Sequence, residues 1–88
     1  MLRVLVSKFS GSSRIITIGD EEHLDELISK LEAESRDAKY FLPLGYSETV
    51  EEKLRRIRGS LSPYTKQLVD ELLYDMALDL LLSRQGAR

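Results

Sequence analysis

The single histidine and its acidic neighbours are the first residues in this chain that could do chemistry. His23 stands among Glu21, Glu22, Asp25 and Glu26, and a carboxylate partner raises the pKa of an imidazole and makes it a better base near neutral pH. No nucleophile stands at a spacing that would complete a catalytic group. A histidine in the first turn of a surface helix is usually just solvated. The sequence therefore predicts no catalytic residue and no enzyme activity.

Metal and cofactor sites have equally little support in the sequence. Glu22 and Glu26 could share a divalent cation, but acids at the start of a helix usually complement the helix dipole. The chain has no cysteine, which excludes thiolate metal sites and disulfides. The turn of small residues at 10–13 joins two predicted strands, whereas a phosphate-binding loop joins a strand to a helix. We predict no bound metal and no cofactor.

A run of cations makes nucleic-acid binding the alternative function to weigh. Residues 53–66 contain no acidic residue, and their cations are Lys53, Arg55, Arg56, Arg58 and Lys66. Two helices separated by residues 59–62 have the spacing of a helix-turn-helix connection, where such cations contact phosphates. The second helix turns acidic, however, and a DNA backbone would repel its carboxylates. The same cations could instead pair with the acidic helices, within one chain or between chains.

A long, strongly apolar helix near the end of the chain carries more hydrophobic surface than a small domain can bury. Apolar residues recur at helical spacing from Leu68 to Leu82, beside an acidic stripe of Glu71, Asp75 and Asp79. A domain of this length buries only about 60–65% of the surface that its unfolded chain exposes. A second copy or another protein would supply the missing cover. Association is therefore the function that the sequence favours.

The acidic stripe divides the apolar residues of this helix into two sets. Residues expected in the domain's own core are Leu72, Leu73, Met76 and Leu80. Residues predicted to contact another chain are Leu73, Tyr74, Ala77, Leu78, Leu81 and Leu82. Leu73 belongs to both sets. We predict a homodimer, or a complex with a partner protein, formed through this helix.

The elements that must position these residues follow from periodicity and from helix and turn signals. The predicted elements are a β-hairpin over 1–19, helices over 20–35, 48–58 and 63–84, and a short strand over 38–42. Pro43 is expected to end the short strand. Asp20 is the expected cap of the first helix, and Thr49 competes with Ser47 at the second. The prediction is one α+β domain over 1–88, with a small antiparallel sheet packed against three helices.

The order of the first elements resembles that of a known fold. A hairpin followed by an amphipathic helix, over the first 42 residues, is similar to the start of β-grasp or ubiquitin-like domains. The two C-terminal helices depart from that pattern. The resemblance therefore implies no function and no site residue for this chain.

Composition adds expectations about location and source. No stretch has the roughly 20 uninterrupted apolar residues of a membrane span, so we expect a cytoplasmic protein. Charged residues make up 32% of the chain, whereas asparagine, cysteine and tryptophan are absent. This composition is typical of thermophilic proteins.

Overall fold

Three strands and three helices form the chain in a computed structural model, which describes residues 1–45 and 47–86, with the side chains of the last helix described through Leu82. In chain order they are β1 (Leu2–Lys8), β2 (Ser13–Ile18), α1 (Leu24–Glu34), β3 (Ala38–Gly45), α2 (Glu48–Ile57) and α3 (Pro63–Gly86). A short 3₁₀ turn over Arg58–Ser60 joins α2 to α3. The predicted α+β fold, with its antiparallel sheet and long C-terminal helix, is confirmed.

The sheet has β1 at its centre, with β2 and β3 pairing antiparallel on either side. Because successive residues of a strand point to opposite faces, β1 presents two different surfaces. Leu2, Val4 and Val6 are completely buried on one face. Arg3 and Leu5 lie on the other face, where they are exposed and half-buried respectively. We call these the core face and the outer face of the sheet.

All three helices contribute to one hydrophobic core with the core face of the sheet. Besides β1, the strands supply Ile16, Ile18, Ala38 and Phe41. The helices supply Leu27 and Leu31 from α1, Val50, Leu54 and Ile57 from α2, and Leu68, Val69, Leu72, Leu73 and Met76 from α3. The spacing of three or four residues within each helix is that of a single apolar face.

Helix α3 lies alongside β3 and runs in the same direction. Near the start of the strand, the Tyr64 hydroxyl donates a hydrogen bond to the carbonyl oxygen of Ala38. Near the end of the strand, Asp75 and Asp79 lie beside Gly45. Strand β3 therefore lies beside α3 only as far as Asp75 and Asp79.

Strand β3 is longer than predicted, because it continues through Pro43 to Gly45. Proline lacks the N–H that a central strand would need, but it is tolerated on an edge strand, and β3 is an edge strand. The pairing also shifts register between Arg3 and Val4, next to Pro43. The prediction that Pro43 ends the strand is wrong for this reason.

Helix α1 begins at Leu24, so the prediction of a helix from residue 20 is wrong. Glu26 accepts a hydrogen bond from the backbone N–H of His23 at 3.0 Å, which is the acidic half of a capping box. Asp20, the expected cap, instead accepts from the Ser47 hydroxyl at 2.8 Å. The Asp20 side chain is therefore used in a tertiary hydrogen bond, and not as the helix cap that the local sequence predicts.

Ser47, and not Thr49, caps helix α2. Its hydroxyl accepts a hydrogen bond from the Val50 N–H at 3.4 Å, while Thr49 lies inside the helix. Helix α2 ends at Ile57, one residue before the predicted end, and α3 extends two residues beyond the predicted residue 84. Differences of this size are ordinary at helix ends.

The start of α3 is attached to α1 through the Glu32 carboxylate. Ser62 donates to it twice, from its N–H at 2.6 Å and from its hydroxyl at 2.8 Å, and the Thr65 hydroxyl donates at 2.8 Å. Thr65 also shares a buried 2.6 Å hydrogen bond with Ser35. These donors, led by the Ser62 N–H, lower the pKa of Glu32 because they favour its charged form.

Candidate functional site

The second part of α3 extends beyond the hydrophobic core. Met76 is buried, whereas every residue from Ala77 to Leu82 is exposed. The helix continues to Gly86, which is about 15 Å beyond Met76 at the usual rise per residue. We call residues 77–82 the α3 overhang.

Most residues of the predicted contact set lie on or beside the overhang. Ala77, Leu78, Leu81 and Leu82 belong to it and are exposed, with Leu81 at 52% and Leu82 at 57%. Tyr74, one turn before the overhang, is 68% exposed. These five residues are therefore accessible to a partner.

Two of the sequence assignments within α3 need correction. Leu73 was expected at the interface as well as in the core, but it is only 6% exposed, on the side of α3 that faces Arg55 and Arg58. Leu80 was expected in the core, but it is exposed. Among the described residues, the buried core of α3 ends one turn earlier, at Met76.

A groove of about 350 Å³ lies between the end of β3 and helix α3. Leu42, Pro43, Leu44 and Gly45 line its strand side, and Asp75 and Asp79 line its helix side. Leu78 and Leu82 each follow one of these acids by three residues, which places them close to the same side of the helix. The groove therefore connects the sheet to the overhang.

A row of apolar side chains crosses the outer face of the sheet. Leu5 pairs with Ile15 on one side and with Leu42 on the other. Ile15 and Leu42 are exposed, and Leu5 is half-buried. We call these three residues the outer row. Leu42 also lines the groove, so the outer row reaches the side of α3.

Sequence reasoning missed the outer row because strand register assembles it. The sequence did show apolar residues on both faces of β1. It did not show which residues of β2 and β3 would stand beside Leu5, and a slip of one residue would move every side chain to the opposite face. The signal available was the alternation within β1 alone.

Arg58, one of the five cations considered for nucleic-acid contact, is held by the acidic helix. Its Nε and Nη2 donate to the two carboxylate oxygens of Asp70 on α3, at 2.5 and 3.0 Å. The hydrogen bonds to Asp70 raise the pKa of Arg58, and the same bonds lower the pKa of Asp70. This bidentate pair joins the end of α2 to α3.

Two more of these cations have partners within the chain. Arg55 forms an ion pair with Glu51, one helical turn earlier, at 3.2 Å. Lys53 donates to the carbonyl oxygens of Asp20 and Glu22, the latter at 2.7 Å. Arg56 and Lys66 are exposed. The described contacts thus use three of the five cations to hold the fold together.

Two of the carboxylates around His23 likewise have partners within the chain. His23 is exposed at the start of α1. Glu22, one of two carboxylates considered for a cation, pairs with Lys30 at 2.8 Å, and the other, Glu26, binds the His23 N–H. Within residues 1–45 and 47–86, no three metal-ligating side chains are grouped closely enough to hold an ion.

Comparison with protein-family models, curated proteins and solved structures finds no match for this chain. In the described part of the chain, no helix has the length and apolar character needed to cross a bilayer. Among the described residues, four exposed leucines lie together near the end of α3.

Proposed function

We propose that this chain is a protein–protein interaction module that forms a homodimer through the α3 overhang. One observation carries the proposal: α3 continues about 15 Å past its own core with Leu78, Leu81 and Leu82 exposed. Contiguous apolar patches on soluble monomers are usually small, and larger ones mark interaction sites. The overhang groups four exposed leucines on one regular helix, which supports its use as such a site.

The energetics of the overhang support the same proposal. Complete burial of a leucine side chain contributes about 1.5–3 kcal/mol, and the overhang leaves four leucines between 38% and 57% exposed. Helices in proteins gain most of their stability from packing an apolar face, yet the core packs against α3 only as far as Met76. A partner on the overhang would both cover the leucines and stabilise the helix end.

The proposal includes a cytoplasmic location and assigns the chain no catalytic activity and no nucleic-acid contact. Lys53, Arg55 and Arg58 have partners inside the chain, so the geometry does not favour nucleic-acid binding as a second candidate. It favours the other interpretation of the basic segment, in which its cations pair with acids of the same chain.

Sedimentation equilibrium tests the proposed dimer. The wild-type chain should sediment as a dimer at micromolar concentration, and a variant with Leu81→Glu and Leu82→Glu should sediment as a monomer with unchanged far-UV circular dichroism. Substitutions at Leu73 or Met76 are unsuitable, because both residues are buried and their loss would report on folding.

Leu24→Glu is the control, because Leu24 is an exposed leucine on a different helix, α1. This variant should remain dimeric. A wild-type chain that stays monomeric up to millimolar concentration would disprove the homodimer.

A further inference from the structure

We propose that the α3 overhang of one copy packs on the outer row of a second copy, and that the second copy does the same in return. This inference rests on the proposed function and names the surface that the overhang contacts. A dimer of this kind contains two identical contacts related by a two-fold axis, as in other isologous assemblies. The occupant of each sheet is therefore a second copy of this chain.

The positions of the two surfaces require two copies. Helix α3 contributes to the core on the core face of the sheet, whereas the outer row of Leu5, Ile15 and Leu42 lies on the opposite face. Within one chain, Asp79 of the overhang meets Leu42 only across the groove at the edge of the sheet, and because α3 is one continuous helix to Gly86, the overhang does not turn back over Leu5 and Ile15. Contact between the overhang leucines and the whole outer row therefore forms between chains.

Charge distinguishes this contact from pairing of overhang with overhang. From Tyr74 to Leu82 the charged residues of α3 are Asp75 and Asp79, both acidic. The strand residues that share the outer face with Leu5, by alternation and register, include the cation Arg3 and no acid. Overhang against outer row places the two acids of one copy on the face that carries Arg3 of the other, whereas two overhangs side by side would bring only acids together.

The exposed area supports the same arrangement. An aromatic side chain carries roughly 150–250 Å² of surface and an aliphatic one somewhat less. At their observed exposures, the overhang leucines and the outer row together expose on the order of 500 Å² of apolar surface per copy. Two copies then bury about 1,000 Å², the size at which specific interfaces begin. The overhang leucines alone would bury less than about 800 Å² for two copies, which is the size of an incidental crystal contact.

A mixing experiment tests the reciprocal contact. The sheet variant carries Ile15→Glu and Leu42→Glu, and the overhang variant carries Leu81→Glu and Leu82→Glu. Each variant alone should show a dimer dissociation constant at least tenfold above that of the wild type. An equimolar mixture should associate at least tenfold more tightly than either variant alone, because the intact overhang of one copy meets the intact outer row of the other.

The outcomes separate this inference from the proposed function. A wild-type monomer overturns both. A sheet variant that dimerises like the wild type, beside a monomeric overhang variant, overturns the inference and leaves the proposed function standing. Two variants that dissociate alone and fail to associate when mixed also overturn it. Leu24→Glu is a matched control, since Leu24 and Leu42 are both 37% exposed, and it should leave the dissociation constant unchanged.

A second sheet variant controls for the possibility that the glutamate substitutions disturb folding. Ile15→Thr with Leu42→Thr keeps residues that strands accept, while it removes most of the apolar surface of the outer row. It should weaken the dimer in the same direction as the glutamate variant, with an unchanged melting temperature for the monomer. A full-strength dimer in this folded variant would overturn the inference.

Discussion

The two halves of helix α3 carry similar residues and have opposite surroundings. Leu68 and Leu72 in the first half are buried, whereas Leu78 and Leu82 in the second half are exposed. The difference lies in the neighbours: β3 and α2 pack against α3, β3 ends at Gly45, and the buried residues of the helix end at Met76. The two halves thus show that the extent of the elements beside α3, and not the leucine content of α3 itself, decides where the hydrophobic core ends.

The first half is also the half that polar contacts hold in place. Glu32 of α1 binds Ser62 and Thr65 at its start, and Arg58 binds Asp70 at its middle. These bonds fix the axis of α3 relative to the other helices. The overhang then follows in a defined direction, which is what a surface used for association requires.

The largest expected effect compares one leucine from each half. Leu72→Ala should lower the free energy of unfolding by about 2–5 kcal/mol, because it leaves a cavity in a packed core. Leu81→Ala should change it by no more than about 0.5 kcal/mol when the protein is dilute enough to be monomeric. Urea denaturation measures both. Equal losses for the two variants would show that the halves do not differ as described.

A smaller effect is expected where α1 holds the start of the first half. Glu32→Ala removes the acceptor for the Ser62 N–H, the Ser62 hydroxyl and the Thr65 hydroxyl, and should cost about 1–2 kcal/mol of stability. Glu26→Ala, which removes a single bond to the His23 N–H, provides a comparison within α1. If both variants unfold at the same urea concentration, the attachment of α3 to α1 adds nothing.

The same carboxylates predict a pH dependence of stability. Hydrogen bonds from Ser62 and Thr65 lower the pKa of Glu32, and hydrogen bonds from Arg58 lower that of Asp70. Because their folded pKa values lie below the unfolded ones, both groups contribute fully above about pH 4.5. Their contribution is lost as the pH falls through the folded pKa values. Melting temperature should therefore fall below pH 4.5, and less steeply in a Glu32→Gln, Asp70→Asn variant.

The smallest expected effect concerns the ion pair at the middle of the first half. Arg58 and Asp70 are partly exposed, and exposed pairs contribute little because solvent and salt screen them. Arg58→Gln should therefore lower the urea midpoint only slightly, with a smaller difference at high salt. Arg56→Gln serves as the control on the same helix and should be neutral. A larger loss at Arg56 than at Arg58 would contradict the pairing.

Much of the fold could be predicted because its signals are local. Alternation identified the hairpin, and helical spacing with Ser62 and Pro63 identified the long helix. The errors lie where another part of the chain intervened. The Asp20 carboxylate accepts a hydrogen bond from Ser47 and does not cap α1. Strand β3 continues through Pro43 because it pairs with β1 there.

The candidate site was predictable to a smaller extent. Exposed leucines at 78, 81 and 82 follow from helical spacing beside an acidic stripe. The placement of Leu73 and Leu80 did not follow, because it depends on where α2 and β3 lie against α3. The partners of Arg58 and Lys53 are also distant in sequence. The sequence alone therefore could not show that these cations are paired within the chain.

The sequence by itself determined the order of the elements, the length of α3 and the acidic stripe beside its leucines, because these depend on residues within a few positions of one another. Only the tertiary structure decided which leucines are covered, which cations are paired, and that Leu5, Ile15 and Leu42 form one row. The physical reason is that burial and strand register arise between segments far apart along the chain.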